Sequence, residues 1–242
     1  MTRTRIMTDS RPGTQSSAGL RTPGWFAKWP VIGVVMVLVG VLMFGAMAYN
    51  LETKGPLLQW DVPLYREFHN EAVREPHRLI QQLTFGFFAG RELIQIMSII
   101  LILYFLHKRF WRELTMTVLG IGGAALLWYF LSRFFERPRP PDQLGISVSD
   151  PSFPSGHVLT AFVAYGLLAY LLIPKMPSLF WKWVMGLAAL FMILFIGFSR
   201  LFLGGHYLTD VVAGYALGIA WAGLVFTLIE RLWVRRKTNH FG

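Results

Sequence analysis

Residues Ser199 to Asp210 read S-R-L-F-L-G-G-H-Y-L-T-D, and they sit at the join between two apolar runs, near 180 to 198 and 208 to 230. About 20 residues of helix cross the roughly 30 Å of bilayer hydrocarbon, so each flanking run is of membrane length. Four more such runs lie outward from this join, near 30 to 49, 84 to 106, 113 to 133 and 157 to 174. The runs are continuous and do not alternate apolar with polar, which predicts helices and not barrel strands. Arg91 and Glu92 interrupt the second run. The expected fold is all-α: a six-transmembrane-helix bundle. Composition agrees, because a chain of 242 residues with 54% hydrophobic and only 15% charged side chains has too little polar surface to cover a soluble globule. With no cysteine there is no disulfide framework, thiolate metal site or cysteine nucleophile. Gly33, Gly40 and Gly45 in the first run and Gly120, Gly122 and Gly123 in the third suggest close helix contacts.

The net charge of +10 does not gather on one patch, as nucleic-acid binding would require; it falls mostly between the apolar runs. Fourteen of the 23 Lys and Arg residues lie in the N-terminal arm, the 107 to 112 and 175 to 182 turns and the tail, all on one side of the expected bundle. By the positive-inside rule both termini are cytoplasmic, and residues 134 to 156 and 199 to 207 face outward. Residues 1–28 read as a disordered cytoplasmic arm, 29–233 as the six-span domain and 234–242 as a basic cytoplasmic tail. The first run is read as an uncleaved span and not as a signal peptide. Between the first two runs, Pro56, Pro63 and Pro76 cut the segment from 50 to 82 into short pieces. Leu64 and Phe68, four apart, predict short amphipathic helices forming an extracytoplasmic cap, in which His69 and His77 are read as surface residues.

Three polar clusters break the apolar pattern, all at outward span ends: R-F-F-E-R-P-R-P from Arg133 to Pro140, P-S-G-H from Pro154 to His157, and the opening stretch. Arg133, Arg137 and Arg139 are interfacial anchors or anion ligands. In P-S-G-H, Ser155 fits a helix cap, which leaves His157 unexplained. His206 and Asp210, four apart, share one helix face, so the carboxylate can hold one imidazole nitrogen and leave the other's lone pair for attack. Gly204 and Gly205 permit close backbone approach, two helix N-termini offer N–H groups to an anion, and Arg139 and Arg200 supply forked donors. The set describes a phosphate pocket with two histidines. Zinc on His157, His206 and Asp210 is set aside, because neighbouring arginines oppose a dication and short-spaced histidine pairs are missing.

These motifs resemble the membrane-bound type 2 phosphatidic acid phosphatases, whose site is related to that of vanadium haloperoxidases and whose pattern is K-x6-R-P, P-S-G-H, S-R-x5-H-x3-D. The second motif is complete from Pro154 to His157, and the third from Ser199 through Arg200 and His206 to Asp210. The first keeps Arg139 and Pro140, but Ser132 stands at the lysine position with Arg133 beside it. The resemblance implies metal-independent hydrolysis, without a cofactor, of a membrane lipid phosphate or diphosphate at the outer face of a bacterial inner membrane. Undecaprenyl diphosphate is the first candidate, then phosphatidate or phosphatidylglycerol phosphate. His206 is implied as nucleophile, Asp210 as its orienter and His157 as proton donor to the leaving oxygen. Arg139, Arg200 and the Ser155 and Gly156 backbone are implied as phosphate ligands. Arg133 is a further phosphate ligand in place of the missing lysine, or an interfacial anchor. A lipid phosphotransferase and a non-enzymatic lipid carrier or scaffold remain as alternatives.

Overall fold

The computed structural model describes residues 30–74, 91–141 and 150–239, and among them the secondary structure is entirely helical. Pro30 opens α1, Pro30–Thr53, at a position where its missing N–H costs nothing. Lys54, in the left-handed region at φ 52°, ends the helix, and a 3-10 turn over Pro56–Trp60 leads into α2, Asp61–Arg74. The remaining helices are α3 (Arg91–His107), α4 (Trp111–Phe135), α5 (Gly156–Leu172, prolonged by a 3-10 turn to Lys175), α6 (Leu179–Phe202) and α7 (Leu208–Asn239).

Five of these, α1 and α4 to α7, are long and apolar enough to cross a membrane. The sixth expected run is present as the shorter apolar helix α3; residues 84–90 of that run lie outside the described residues, as do the arm and His77. Two boundaries differ from expectation. Ser199 and Arg200 belong to the last turn of α6 and not to the connection, and α7 continues through most of the basic tail segment to Asn239. In both places polar residues extend an apolar helix, since nothing in their types stops one.

Helices α5 and α7 form the centre. Gly214 of α7 packs on Ser155 and Val158, and Gly218 on Phe162, so the two helices run parallel and begin at the same end of the bundle. Helix α1 lies antiparallel along α7: a Cβ at Gly33 would strike Thr227, and one at Gly40 would strike Ala216 and Ala220. Gly123 is pressed against Trp221 in the same way, whereas Gly45 and Gly122 face open space. Helix α4 takes a π-helical turn over Val118–Gly122, and the Trp221 indole adds a bond to the Gly120 carbonyl at 2.9 Å, which ties the turn to α7. At the end where α4 starts, Arg112 pairs with Glu230 of α7 and, at 3.3 Å, with Glu113; the Tyr170 hydroxyl of α5 also donates to Glu230, and all three charged residues are buried.

At the opposite end α2 lies over the bundle. Leu64, Tyr65, Phe68 and His69 are half-buried while Arg66, Glu67 and Glu71 are exposed, which is the amphipathic pattern expected of the cap. Phe68 meets Phe198 edge-on, and Tyr65 meets Tyr207 and donates its hydroxyl to the Pro141 carbonyl. His69 is not the plain surface residue expected, because its ring stacks on Tyr65 and its Nδ1 is buried.

Candidate active site

Four chain segments converge under α2: the end of α4 with its proline-rich exit, the start of α5, the end of α6 and the start of α7. Helix α4 stops where Glu136 enters the left-handed region at φ 46° and its N–H returns to the Ser132 carbonyl at 3.0 Å. Pro138, Pro140 and Pro141 then keep the chain extended, which carries Arg137 and Arg139 across the ends of α5 and α7. After α6 the chain reverses through Gly204, at φ 68°, where a Cβ would approach the Tyr65 ring to 3.1 Å. That reversal places His206 just before α7, so the expectation that it shares a helix face with Asp210 is corrected: only Asp210 is in the helix, and the chain's turn ahead of it brings the imidazole alongside.

The His206 side chain is 1% exposed. Its Nδ1 lies 2.8 Å from the Ser152 carbonyl and 3.7 Å from Asp210 Oδ2; its Nε2 lies 3.2 Å from Arg139 Nη1. A carbonyl only accepts and a guanidinium only donates, so the proton sits on Nδ1 and the Nε2 lone pair faces Arg139. Burial pushes the His206 pKa down, Asp210 pulls it back, and the Arg139 and Arg200 charges push it further, so the net position is below the usual imidazole range. The ring is therefore neutral at pH 7. The His157 ring stands across from it, with centroids 6.1 Å apart and planes at 71°.

Arg139 is fixed by main-chain acceptors: Nε donates to the Asp150 carbonyl and Nη1 to the Gly205 carbonyl, each at 2.7 Å. Arg200 is buried in the last turn of α6 and its Nε reaches Ser199 Oγ at 3.2 Å. Ser155 takes the position preceding α5 but makes no side-chain cap, and its buried Oγ is without a partner among the described residues. Its backbone N–H donates to the Asp210 carbonyl at 3.0 Å. The expectation that the Ser155 backbone holds phosphate is thereby corrected: the amide is committed to joining α5 to α7, and the hydroxyl is the group left for a ligand. Gly156 opens α5, where a first-turn N–H has no intrahelical acceptor. A Cβ there would come within 2.7 Å of the Trp128 ring.

Arg133 is not brought to this cluster. Ser132 is buried and bonds the Tyr129 carbonyl, whereas one residue along the helix Arg133 is turned by about 100°. It is exposed, over the Tyr129 ring and 3.4 Å from Asp150. Its side chain is thus turned away from the histidine cluster, toward Tyr129 and Asp150.

Two contributors were not foreseen. Arg137, read from the sequence as an interfacial anchor or an anion ligand, is instead an internal ion-pair partner: it donates to Asp210 Oδ1 at 2.5 Å, Asp61 Oδ2 at 2.7 Å and Thr209 Oγ1 at 2.7 Å, and lies over the Tyr207 ring at 4.4 Å. Burial lowers its pKa, but Asp210 and Asp61 outweigh that and raise it, so the charge is permanent. Asp61, from the start of the cap helix, also accepts from the Thr209 backbone N–H at 2.9 Å and the Thr209 hydroxyl at 2.6 Å. The only sequence signals were a carboxylate at the start of a helix and an arginine in a proline-rich exit. Among the described residues no group of three or more His, Cys, Asp or Glu side chains converges as a metal site.

A cavity of about 380 Å³ lies between α3, α4 and α5 and shares Gly156 with the site; Trp128, Thr160, Gln95 and Ser98 line it together with Ile94, Ile99, Ile121 and Ala125. It extends from the first residue of α5 into the part of the bundle that is of membrane composition.

Residues 113–233, half of the chain, match the family model described as the PAP2 superfamily. Over 128 residues the chain is 36% identical to phosphatidylglycerophosphatase B of Bacillus subtilis (strain 168), covering 52% of this chain and 60% of that protein. Over 149 residues it is 29% identical to undecaprenyl-diphosphatase of Sulfolobus acidocaldarius, covering 58% of this chain and 66% of that one. The matched region thus spans less than two thirds of each relative's length. The crystal structure of a transmembrane PAP2 type phosphatidylglycerolphosphate phosphatase from Bacillus subtilis superposes with a TM-score of 0.63 at 26% identity, covering 80% of this chain and 94% of that chain.

Proposed function

The chain belongs to the PAP2 superfamily, and we propose that it is a lipid phosphatase that works through a phosphohistidine on His206. The observation that carries this reading is the His206 environment: a buried neutral imidazole whose Nδ1 proton is held by the Ser152 carbonyl and whose Nε2 lone pair points to an arginine, opposite a second histidine. The Nε2 lone pair attacks phosphorus as the bond from phosphorus to the lipid oxygen breaks, and His157 gives that oxygen a proton. Water then attacks phosphorus, His157 takes a proton from it, and the nitrogen–phosphorus bond breaks to release inorganic phosphate. Positive charge builds on the His206 ring as the nitrogen–phosphorus bond forms and is lost again as that bond breaks, and the Asp210 carboxylate 3.7 Å from Nδ1 stabilises the charged ring in between. Arg139, Arg200, the Gly156 N–H and the Ser155 hydroxyl hold the equatorial phosphoryl oxygens.

The apolar cavity beside Gly156 supports a lipid, since a headgroup in the histidine site leaves its chain next to Ile94, Ile99 and Ile121. Identity to a phosphatidylglycerophosphatase makes phosphatidylglycerol phosphate the first substrate to test and undecaprenyl diphosphate the second, reversing the order expected from sequence. The distribution of Lys and Arg supports a site on the extracytoplasmic face with both termini cytoplasmic. The test is phosphate release by the purified full chain from these lipids and from phosphatidate, with EDTA and with vanadate. Release that survives EDTA and is blocked by vanadate, which occupies the place of the transferring phosphoryl group, is the expected result. Absence of release from every lipid phosphate, or loss with EDTA restored by zinc, overturns the reading.

A further inference from the structure

Asp61 is 2% exposed, at the first turn of a cap helix whose other acidic residues face outward. A carboxylate buried this far must be matched, and every contact it makes leads to the same place. Oδ1 accepts from the Thr209 backbone N–H, a first-turn donor of α7 with no intrahelical acceptor. Oδ2 accepts from the Thr209 hydroxyl and from Arg137 Nη2. Arg137 in turn reaches Asp210 through Nη1. One guanidinium is thus shared by two buried carboxylates, one from the cap and one from the start of α7, and the second faces His206 Nδ1.

We propose that Asp61 is a positioning residue for the histidine chemistry: by taking half of the Arg137 charge, it leaves Asp210 enough negative potential to stabilise the positive charge that develops on His206. The inference rests on the phosphohistidine reading above and adds a residue from the cap to it. Asp61 touches neither His206 nor the reacting atoms; it acts through Arg137. With its charge removed, Arg137 is balanced by Asp210 alone, and the field at Nδ1 becomes more positive. Two consequences follow with opposite practical signs. The transition state is less well stabilised, so kcat falls while KM, set by the phosphate ligands and the lipid cavity, does not. The His206 ring is also harder to protonate, so the acid limb of the rate profile moves to lower pH. The charged and titratable groups around His206 that set this limb are Arg139 from the exit of α4, Arg200 from α6, His157 from α5, Asp210 from α7, and Arg137 with Asp61 behind it.

The experiment compares the wild-type full chain with Asp61→Asn, Asp61→Glu and Glu67→Gln in detergent, measuring kcat, KM and the pH profile of kcat/KM on phosphatidylglycerol phosphate, with thermal unfolding alongside. Glu67 is exposed on the same helix and controls for loss of one cap charge. Asp61→Asn is expected to lower kcat by about tenfold, equivalent to roughly 1.4 kcal/mol of barrier, to change KM by less than about twofold and to shift the acid limb downward. Asp61→Glu is expected to recover most of kcat and to keep the wild-type limb, and Glu67→Gln to match wild type. A folded Asp61→Asn with wild-type kcat and an unmoved limb overturns the inference and leaves the phosphatase reading standing. If Asp61→Asn does not fold, the charge-retaining Asp61→Glu decides: a wild-type limb with substantial kcat supports the inference, and a displaced limb or inactivity in a folded protein overturns it. A wild-type chain that releases phosphate from none of phosphatidylglycerol phosphate, undecaprenyl diphosphate and phosphatidate overturns the phosphatase reading, and with it the role given to Asp61.

Discussion

The bundle buries ionic side chains at both ends, and the two clusters are made differently. At the end where α4 begins, Arg112, Glu113, Tyr170 and Glu230 are matched against one another, a guanidinium and a phenol closing on carboxylates carried by well-formed helices. At the other end Arg139 is held by main-chain carbonyls, His206 by a main-chain carbonyl on one side and an arginine on the other, and the Ser155 hydroxyl is left over. The first cluster joins helices through side chain to side chain contacts; the second holds its arginine and histidine through main-chain carbonyls. Buried charge in a membrane protein is therefore not by itself a sign of chemistry. A neutral imidazole among arginines, facing a second histidine, is the better sign.

The sharpest way to break the comparison is to remove one member from each end. His206→Ala is expected to lower turnover by about 10³-fold or more, because no other group is placed to replace the nucleophile, while thermal unfolding stays near wild type. Phosphate release at the wild-type rate from that variant would remove the distinction between the two ends. Glu230→Gln is expected to do the reverse. It leaves Arg112 buried beside fewer charges and costs about 3 to 5 kcal/mol of stability, with kcat per folded molecule preserved; a lowered kcat at full stability would mean that the distant cluster also serves the reaction.

Two smaller effects sharpen the picture of the histidine end. Because His206 is held below the ordinary imidazole pKa of about 6.5, its neutral form persists as pH falls through 6.5 and is lost only below that. The acid limb of kcat/KM assigned to His206 is expected below about 6.5, and one above it would reverse the electrostatic assignment. The smallest effect is expected for Arg133→Ala, whose exposed side chain and pairing with Asp150 predict kinetics within about twofold of wild type. A tenfold loss would return Arg133 to the phosphate site.

Much of this was legible before any coordinates. The helical class followed from the long apolar runs and the cap helix from Leu64 and Phe68. The spacing of four foretold that His206 and Asp210 would be near each other, but not how: His206 precedes α7 and shares no helix face with Asp210, and its Nδ1 is nearer the Ser152 carbonyl, at 2.8 Å, than the carboxylate, at 3.7 Å. What the chain did not disclose are contacts between segments far apart in sequence. Asp61 meets Arg137 across 76 positions and Thr209 across 148, and no local period encodes either. The Ser152 carbonyl was equally hidden, since a main-chain acceptor carries no residue signature. Arg133 failed for a rotational reason: a neighbour in sequence is not a neighbour in direction on a helix, and buried Ser132 occupies the inward place. The Ser155 amide failed because the parallel pairing of α5 and α7 claims it, a fact of packing and not of motif.

Arg139 carries a consequence of its own. A long cationic side chain that waits in water samples many rotamers, and clamping it onto an anion forfeits roughly 2 kcal/mol of that freedom. Here the Asp150 and Gly205 carbonyls have already stopped the motion. The ordering takes place once, when the chain folds, and not afresh with each phosphate that arrives. In the proposed reaction an incoming headgroup therefore meets a rigid fork, and its affinity is set by how well its oxygens match that geometry. Loosening either carbonyl contact should weaken phosphate binding without removing any group that touches phosphate.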